Sequence, residues 1–89
     1  MKTNPEISII IPTLNSEKTL SLTLNSIYKQ TLKKEKYEVL IIDGGSQDQT
    51  LSIARKFNAK IIDNPYKTPE MAKAIGMKEA RGKDRKSVV

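Results

Sequence analysis

The sequence has no cysteine and no histidine among its 89 residues. The first absence excludes a disulfide scaffold and thiolate metal sites, and the second removes the usual remaining zinc ligand. Aromatic residues make up only 4% of the chain, too few for a surface that stacks nucleic-acid bases. No apolar run approaches the about 20 residues that span a bilayer, and the amino terminus lacks a signal-peptide core. We therefore expect a cytoplasmic protein, or a full-length parent at the cytoplasmic face of a membrane.

The composition is that of a soluble globular chain, with 37% hydrophobic and 29% charged residues. Eighty-nine residues allow at most one domain. The formal net charge is +6, but the lysines are spread along every predicted helix and cluster only at Lys33, Lys34 and Lys36. A solvated surface is therefore favoured over a track for phosphates, and we expect no nucleic-acid partner.

The most informative stretch is 38–50, in which an apolar run ends at a carboxylate and two glycines. Residues 39–42 predict a strand covered on both faces, as in parallel sheets. Gly44 and Gly45 carry no Cβ, so the backbone can turn sharply and approach a ligand there. Asp43 can accept hydrogen bonds from a ring N–H or from ribose hydroxyls, and the alternative is that it only caps the turn. The carboxyl end of such a strand is where open α/β sheets bind ligands.

A helix is predicted to begin directly after these glycines. Ser46 and Gln49 have the spacing of a capping box, in which each side chain bonds to a free backbone amide of the first turn. Asp48 then lies in the first turn, where a negative charge is favourable to the helix dipole. We prefer this interpretation of Asp48 to a contact with ligand.

The remaining hydrophobic periodicity places further elements on either side of this stretch. In chain order the prediction is a strand at 7–11, a helix ending near residue 30, a charged connection at 31–36, a strand at 39–42, a helix at 50–57, a strand at 60–62 and a helix from 69 to about 80. The first helix is predicted to have one apolar stripe, formed by Leu20, Leu24, Ile27 and Tyr28. This β-α-β-α-β-α order, with right-handed crossovers, predicts an α/β fold of three layers. A parallel sheet then has helices on both faces.

Local signals set the ends of these elements. Pro12 is expected to close the first strand, and Asn15 or Ser16 to cap the first helix. Asn58 is expected to close the second helix in a left-handed conformation. The last helix is predicted to begin at the cap 68–70, Thr-Pro-Glu, and to stop at Gly82.

Three blocks of sequence, in this order and spacing, resemble the opening of a family 2 glycosyltransferase with the Rossmann-like GT-A fold. They are Ile-Ser-Ile-Ile-Ile-Pro-Thr-Leu-Asn at 7–15, Ile-Ile-Asp-Gly-Gly-Ser-Gln-Asp-Gln-Thr at 41–50, and Ala-Lys-Ala-Ile-Gly at 72–76 with Ala-Arg-Gly at 80–82. The resemblance covers residue 7 to about residue 83. It implies a GT-A half-domain whose parent transfers a sugar from a nucleotide-diphosphate sugar to an acceptor hydroxyl.

The resemblance also implies where the donor nucleotide lies. It assigns Pro12, Thr13 and Asn15 to the floor of the nucleotide pocket and Asp43 to the base or ribose. Many members of the family carry a second aspartate where this chain has Gly44, which we keep among the pocket residues. Lys73 matches a position that is often basic in the family and that faces a diphosphate, and an exposed lysine on a helix is the equal alternative.

The family motif that holds the divalent cation is missing from this sequence. In full-length members an Asp-x-Asp element on the next strand binds Mg²⁺ or Mn²⁺ and the donor diphosphate, and the catalytic base lies farther on. No Asp-x-Asp occurs in these 89 residues. The resemblance thus implies a divalent cation for the parent, whereas we expect none to be bound by this fragment and expect it to be inactive alone.

The sequence departs from the family at Asp84. Residues 84–89 resemble one reading frame of a sequencing-library adapter, so we interpret 1–83 as an incomplete nucleotide-sugar-binding part and 84–89 as a non-native tail. The neighbouring strand would then be lacking, and 7–11 would present an open edge prone to self-association. Two other functions stay open, a small α/β nucleotide-binding module that is complete without catalysis and, less favoured, a basic nucleic-acid-binding domain.

Overall fold

The computed structural model describes residues 5–29 and 36–87. Within them the chain forms β1 Ile7–Thr13, α1 Glu17–Tyr28, β2 Tyr37–Asp43, α2 Thr50–Lys56, β3 Lys60–Asp63, α3 Pro69–Glu79 and β4 Asp84–Ser87. The strands form one parallel sheet in the order β3-β2-β1-β4. The α/β fold with a parallel sheet is confirmed, and the sheet has a fourth strand that the sequence did not predict. The predicted connection at 31–36 lies almost entirely outside the described residues.

Both faces of the sheet are covered, because the inner strands β1 and β2 carry apolar side chains on each face. Helices α1 and α2 cover one face, whose buried core is Ile11, Leu20, Leu24, Ile27, Tyr37, Val39, Ile41 and Ala54. Helix α3 covers the other, whose buried core is Ile10, Leu40, Ile42, Ala72 and Ala80. The helical stripe predicted from periodicity is therefore the buried side of α1. No helix in the described ranges combines the length and apolarity needed to cross a membrane.

Two of the predicted end signals act differently in the structure. β1 continues through Pro12, which pairs in register with Ile42 of β2. On its other side β4 ends opposite Ile10, so the absent N–H of proline costs no bond to β4. Helix α3 ends at Glu79 without a glycine cap, and Gly82 lies against β1, where a Cβ would be 2.6 Å from the backbone nitrogen of Ser8.

The helix caps confirm some predictions and correct one. Thr68 caps α3 by accepting a hydrogen bond from the amide of Met71, and Asn58 is left-handed with a φ of 58°. The capping box at Ser46 and Gln49 is wrong. Helix α2 begins only at Thr50, and its N-cap residue Gln49 makes no side-chain capping bond. The Ser46 hydroxyl does not cap the helix either, because it donates to Asp43.

The edge strand β4 overturns the prediction that β1 is open. Residues 84–87 pair in parallel with 7–10 of β1, in the register Ile7 to Asp84. The exposed side chains of Asp84, Arg85 and Lys86 make this outer strand charged, which is a common protection of sheet edges. The interpretation of 84–89 as a non-native tail is not tested by this pairing and stays a hypothesis.

A relay of hydrogen bonds through Ser8 and Glu38 fixes the start of β4. The Ser8 hydroxyl donates to a carboxylate oxygen of Glu38 at 2.6 Å and accepts from the amide of Gly82 at 2.7 Å. The amide of Arg81 donates to the same Glu38 oxygen at 2.7 Å. The relay joins β1, β2 and the connection between α3 and β4, so the turn that precedes β4 is held at one place on the sheet.

Candidate functional site

Three loops meet at the carboxyl edge of the sheet. The first loop is 14–16, after β1, the second loop is 44–49, after β2, and the third loop is 64–68, after β3. Parallel strands bring their carboxyl ends to the same edge, which is the usual ligand-binding edge of an open α/β sheet. The candidate site is built from these loops and the strand ends that carry them.

Asp43, the last residue of β2, accepts the hydrogen bonds that hold the start of the second loop. Its Oδ1 accepts hydrogen bonds from the Thr13 and Ser46 hydroxyls, both at 2.6 Å. Its Oδ2 accepts from the amides of Gly45 at 2.9 Å and Ser46 at 2.7 Å. A carboxylate has about four acceptor positions, and here the chain itself fills them. Asp43 is only 3% exposed, so a direct contact with a nucleoside, which stays a prediction, requires one of these bonds to be given up.

The same bonds set the protonation state of Asp43. Burial by itself raises the pKa of the carboxyl group, but the hydrogen bonds from Ser46, Thr13 and the amide of Gly45 together outweigh it. The pKa therefore lies below its ordinary value of 3.8. Asp43 is thus a carboxylate at neutral pH and acts as an acceptor, not as a proton donor.

Asn15 holds the first loop against the second. Its backbone amide donates to the Ser46 hydroxyl at 2.8 Å, and its Oδ1 accepts from the amide of Gln47 at 2.8 Å. Its φ of 50° is left-handed, which asparagine tolerates better than most residues. Asn15 therefore shapes the edge of the site, and Ser16 takes the N-cap position of α1.

Asp48 joins the starts of two helices. It accepts from the amide and the hydroxyl of Thr50, at the start of α2, and from the amide of Glu17, at the start of α1, at 3.2 Å. Burial by itself raises the pKa of Asp48, but these hydrogen bonds outweigh it and the net pKa is lowered. Free amides at helix starts favour a negative charge. This supports the capping interpretation, with Asp48 placed two residues before α2 instead of in its first turn.

A cleft of about 210 Å³ opens beside the first and third loops, on the face covered by α3. Its walls are mostly apolar, and the residues that line it are Pro12, Thr13, Leu14, Ile42, Asn64, Lys67, Thr68, Pro69 and Ala72. Apolar walls with a few placed polar groups are typical of small-molecule sites. Leu14 is 48% exposed at the rim and offers an apolar surface to a ligand.

Asn64 and Lys67 of the third loop belong to the site but were not predicted as site residues. Asn64 is buried, donates through its backbone amide to the carbonyl of Asp43 at 2.7 Å and through Nδ2 to the carbonyl of Thr68 at 3.0 Å. Lys67 donates through Nζ to the carbonyl of Gly44 at 2.9 Å. The position of this loop after the third strand was the available signal, because that strand ends at the same edge.

The structure brings most of the residues predicted for the site together. Pro12 and Thr13 line the cleft, and Asn15 and Asp43 lie in the hydrogen-bonded loops behind it. Gly44 is enclosed, since a Cβ there would be 3.4 Å from Lys67 Cα and 3.6 Å from the carbonyl oxygen of Thr13.

Lys73 is the exception among the predicted residues. It is exposed on α3 and is not among the residues that line the cleft. Its neighbour Ala72 faces the cleft instead. A role of Lys73 toward a diphosphate stays a prediction.

The residues described do not fit a divalent cation. Within 5–29 and 36–87 no group of three or more aspartate, glutamate, histidine or cysteine side chains is placed to hold one. The buried carboxylate of the site, Asp43, is already fully hydrogen-bonded within the protein. We therefore derive no chemical step that passes through a metal.

Comparison with known proteins identifies the family. The profile of glycosyl transferase family 2 matches residues 8–88. Glycosyltransferase AglE of Haloferax volcanii is 36% identical over 86 residues, which cover 90% of this chain and 28% of that protein.

Solved structures agree with the sequence match. A crystal structure of S. aureus TarS 1-349 superposes with a TM-score of 0.87 at 35% identity, over 93% of this chain and 26% of that one. The complex of TarS 1-349 with UDP gives 0.83 at 33% identity, with the same coverage. The mannosyltransferase PcManGT from Pyrobaculum calidifontis, solved with GDP-Man and Mn²⁺, gives 0.61 at 26%, over 71% of this chain and 20% of that one. The chain thus spans about a quarter of the length of these relatives, and it belongs to glycosyl transferase family 2.

Proposed function

We propose that this chain is the nucleotide-binding part of an enzyme that transfers a sugar from a nucleotide-diphosphate sugar to an acceptor hydroxyl. The observation that carries the proposal is the cleft at the carboxyl edge of the sheet. Its walls come from Pro12, Thr13 and the third loop, and the first two lie in a block of sequence typical of the family. The related TarS and PcManGT structures contain UDP and GDP-Man, which supports a nucleotide ligand.

In this proposal the nucleoside enters the cleft and the loops behind it give the cleft its shape. The apolar side chains of Pro12, Leu14 and Pro69 offer surfaces against which a flat ring can lie. Asp43 and Asn15 hold the first and second loops in register. The diphosphate and the sugar extend out of the cleft, and Lys73 is the residue proposed to contact the diphosphate.

We propose that the enzyme binds its nucleotide sugar in the cytoplasm. The acceptor is not specified by this proposal.

Binding of uridine diphosphate to the purified 89-residue chain tests the proposal. Titration followed by heteronuclear NMR should shift the amide signals of Thr13, Leu14 and Lys67, which border the cleft. The amide signals of Leu22 and Ser26, on the far surface of α1, serve as the internal control and should stay unchanged. Equal shifts over the whole chain, or none at millimolar nucleotide, would contradict the proposal.

Reading the genomic DNA beyond codon 83 separates the enzyme fragment from a binding module that is complete as it stands. Continuation into a hydrophobic strand that ends in Asp-x-Asp supports the glycosyltransferase and identifies 84–89 as foreign. A verified stop codon after Val89 supports the module instead.

A further inference from the structure

The charged residue that lines the cleft is Lys67. Its backbone has a left-handed φ of 64°, and its Nζ donates to the carbonyl oxygen of Gly44 at 2.9 Å. The ammonium group lies over the second loop, since a Cβ on Gly45 would be 2.8 Å from Nζ. One hydrogen bond uses one of the three donors of an ammonium group, so two remain.

No carboxylate neutralises this ammonium group in the part of the chain that the structure describes. The ion pair found there joins Lys36 to Glu6, at the opposite edge of the sheet. The buried carboxylate of the site, Asp43, accepts its four hydrogen bonds from Thr13, Gly45 and Ser46. Two N–H donors of Lys67 are therefore left for a ligand in the cleft.

The lining of the cleft favours a flat ring over a diphosphate. Apart from Lys67, the wall consists of the apolar residues Pro12, Leu14, Ile42, Pro69 and Ala72 and a few neutral polar side chains. A diphosphate needs several donors to replace its water, whereas a nucleobase presents two apolar faces and a polar edge. The edge of the ring then meets the lysine.

We propose that Lys67 selects the nucleobase of the donor by donating a hydrogen bond to its exocyclic keto oxygen. This inference rests on the proposed function and deepens it. Lysine has donors only, so it pairs with O4 of uracil or O6 of guanine. Cytosine and adenine carry an amino group at that position, which is itself a donor. The chain therefore prefers uridine and guanosine diphosphates to cytidine and adenosine diphosphates.

The test compares dissociation constants of the four nucleoside diphosphates by calorimetry on the 89-residue chain. A hydrogen bond to a charged group corresponds to about tenfold or more in affinity, so uridine diphosphate should bind about tenfold more tightly than cytidine diphosphate. Lys67→Met keeps the aliphatic stem and removes the donors. It should weaken uridine diphosphate binding about tenfold and leave cytidine diphosphate within about threefold, so that the preference disappears. Lys67→Arg should retain the preference.

Lys78→Met is the matched control, because it removes an exposed lysine of α3 that does not line the cleft, and the uridine to cytidine ratio should not change. Lys67→Glu provides a second variant if the methionine variant does not fold, and it should reverse the ratio because a carboxylate accepts from the amino group. Loss of binding by equal factors for all four nucleotides in Lys67→Met would overturn the inference, since it would show general charge attraction or loop damage. An unchanged ratio would overturn it too. Failure of the wild-type chain to bind any of the four would overturn the proposed function itself.

Discussion

Thr13 donates a hydrogen bond of 2.6 Å to Asp43, and these two residues are also direct partners in the register of β1 and β2. The two strands are therefore joined at their carboxyl ends by a side-chain hydrogen bond in addition to the backbone pairing. Both residues are buried. Removing one partner of a buried hydrogen bond lowers the stability of the fold, because the remaining polar group is left without a partner and without access to water.

Removing the hydroxyl at this position should destabilise the fold. Thr13→Val keeps the shape of the side chain but leaves one acceptor position of the buried Asp43 carboxylate without a donor. We expect a loss of about 1 to 3 kcal/mol in the free energy of unfolding, measured with urea. Thr19→Val, at an exposed position of α1 with a long 3.4 Å bond, is the control and should stay within about 0.5 kcal/mol. Equal losses in the two variants would contradict the role given to Thr13.

The stability of the chain should fall in acid because of Asp43. Its pKa is lowered in the folded state, since hydrogen bonds from Ser46, Thr13 and Gly45 outweigh the opposing effect of burial. The folded state thus binds its proton more weakly than the unfolded state, and the stabilisation is complete above the ordinary value of 3.8 and lost as the pH falls through the folded pKa. The lowered pKa of Asp48 acts in the same direction.

Urea midpoints measured from about pH 7 down to about pH 2.5 check this. They should be nearly constant above about pH 5 and decline below it. Asp43→Asn should be less stable at neutral pH and should show a shallower decline. A variant with the full wild-type decline would show that other carboxyl groups are responsible.

Nucleotide binding should distinguish Asp43, at the end of β2, from Asp48, in the second loop. Asp43→Ala removes either a ligand contact or the acceptor that holds the cleft in shape, and both cases predict uridine diphosphate binding about ten- to a hundredfold weaker. Asp48→Ala should change binding by less than about threefold, because Asp48 bonds to the starts of α1 and α2. Calorimetry on folded variants, verified by circular dichroism, gives the comparison. If both variants weakened binding equally, or if Asp43→Ala had no effect, the assignment of Asp43 to the nucleotide site would be wrong.

Shortening the chain should expose β1. A chain that ends at residue 83 lacks the strand that pairs with 7–10, and Ile7 and Ile9 would then border an open edge. We expect this shorter chain to self-associate at concentrations where the 89-residue chain does not, measured by light scattering. Arg85→Glu in the full chain keeps the strand and should stay monomeric. A monomeric shortened chain would show that β4 contributes nothing to solubility.

The 89-residue chain should not transfer sugar. Its sequence has no Asp-x-Asp, and the described residues offer no cluster of carboxylates for the cation that stabilises a leaving diphosphate. Donor hydrolysis and transfer, assayed with Mn²⁺ or Mg²⁺, should equal a control without protein. Turnover above that control that depends on the cation would show that a reaction centre is present.

The elements that could be predicted are those that local sequence determines. The apolar runs that contain Ile9 and Ile41 are strands, and the stripe through Leu20 and Leu24 is the buried side of α1. Strand β4 was missed because three of its four residues are charged, so its formation depends on the neighbouring β1 and on the relay at Ser8. A pattern of side chains within the strand cannot reveal a partner that is distant in sequence.

The site was predictable to the same extent. Pro12, Thr13 and Asp43 follow from the two strands that end beside each other. The predicted capping box was wrong because the Ser46 hydroxyl donates to Asp43 and accepts from the amide of Asn15. The spacing of residues in the sequence does not show these contacts. Lys67 was missed because it bonds to Gly44 of another loop, and the two residues are 23 positions apart in the sequence.

The bond between Gly82 and Ser8 has a kinetic consequence, because the two residues are 74 positions apart in the chain. Contacts of such long sequence separation close a large loop and tend to form slowly, after local structure has appeared. During synthesis β1 can pair with β2 once the second strand has emerged, but its other side must wait until residue 84 has followed. For that interval the nascent chain carries a half-paired strand, and this is the stage at which a chaperone that binds extended apolar segments would act on it.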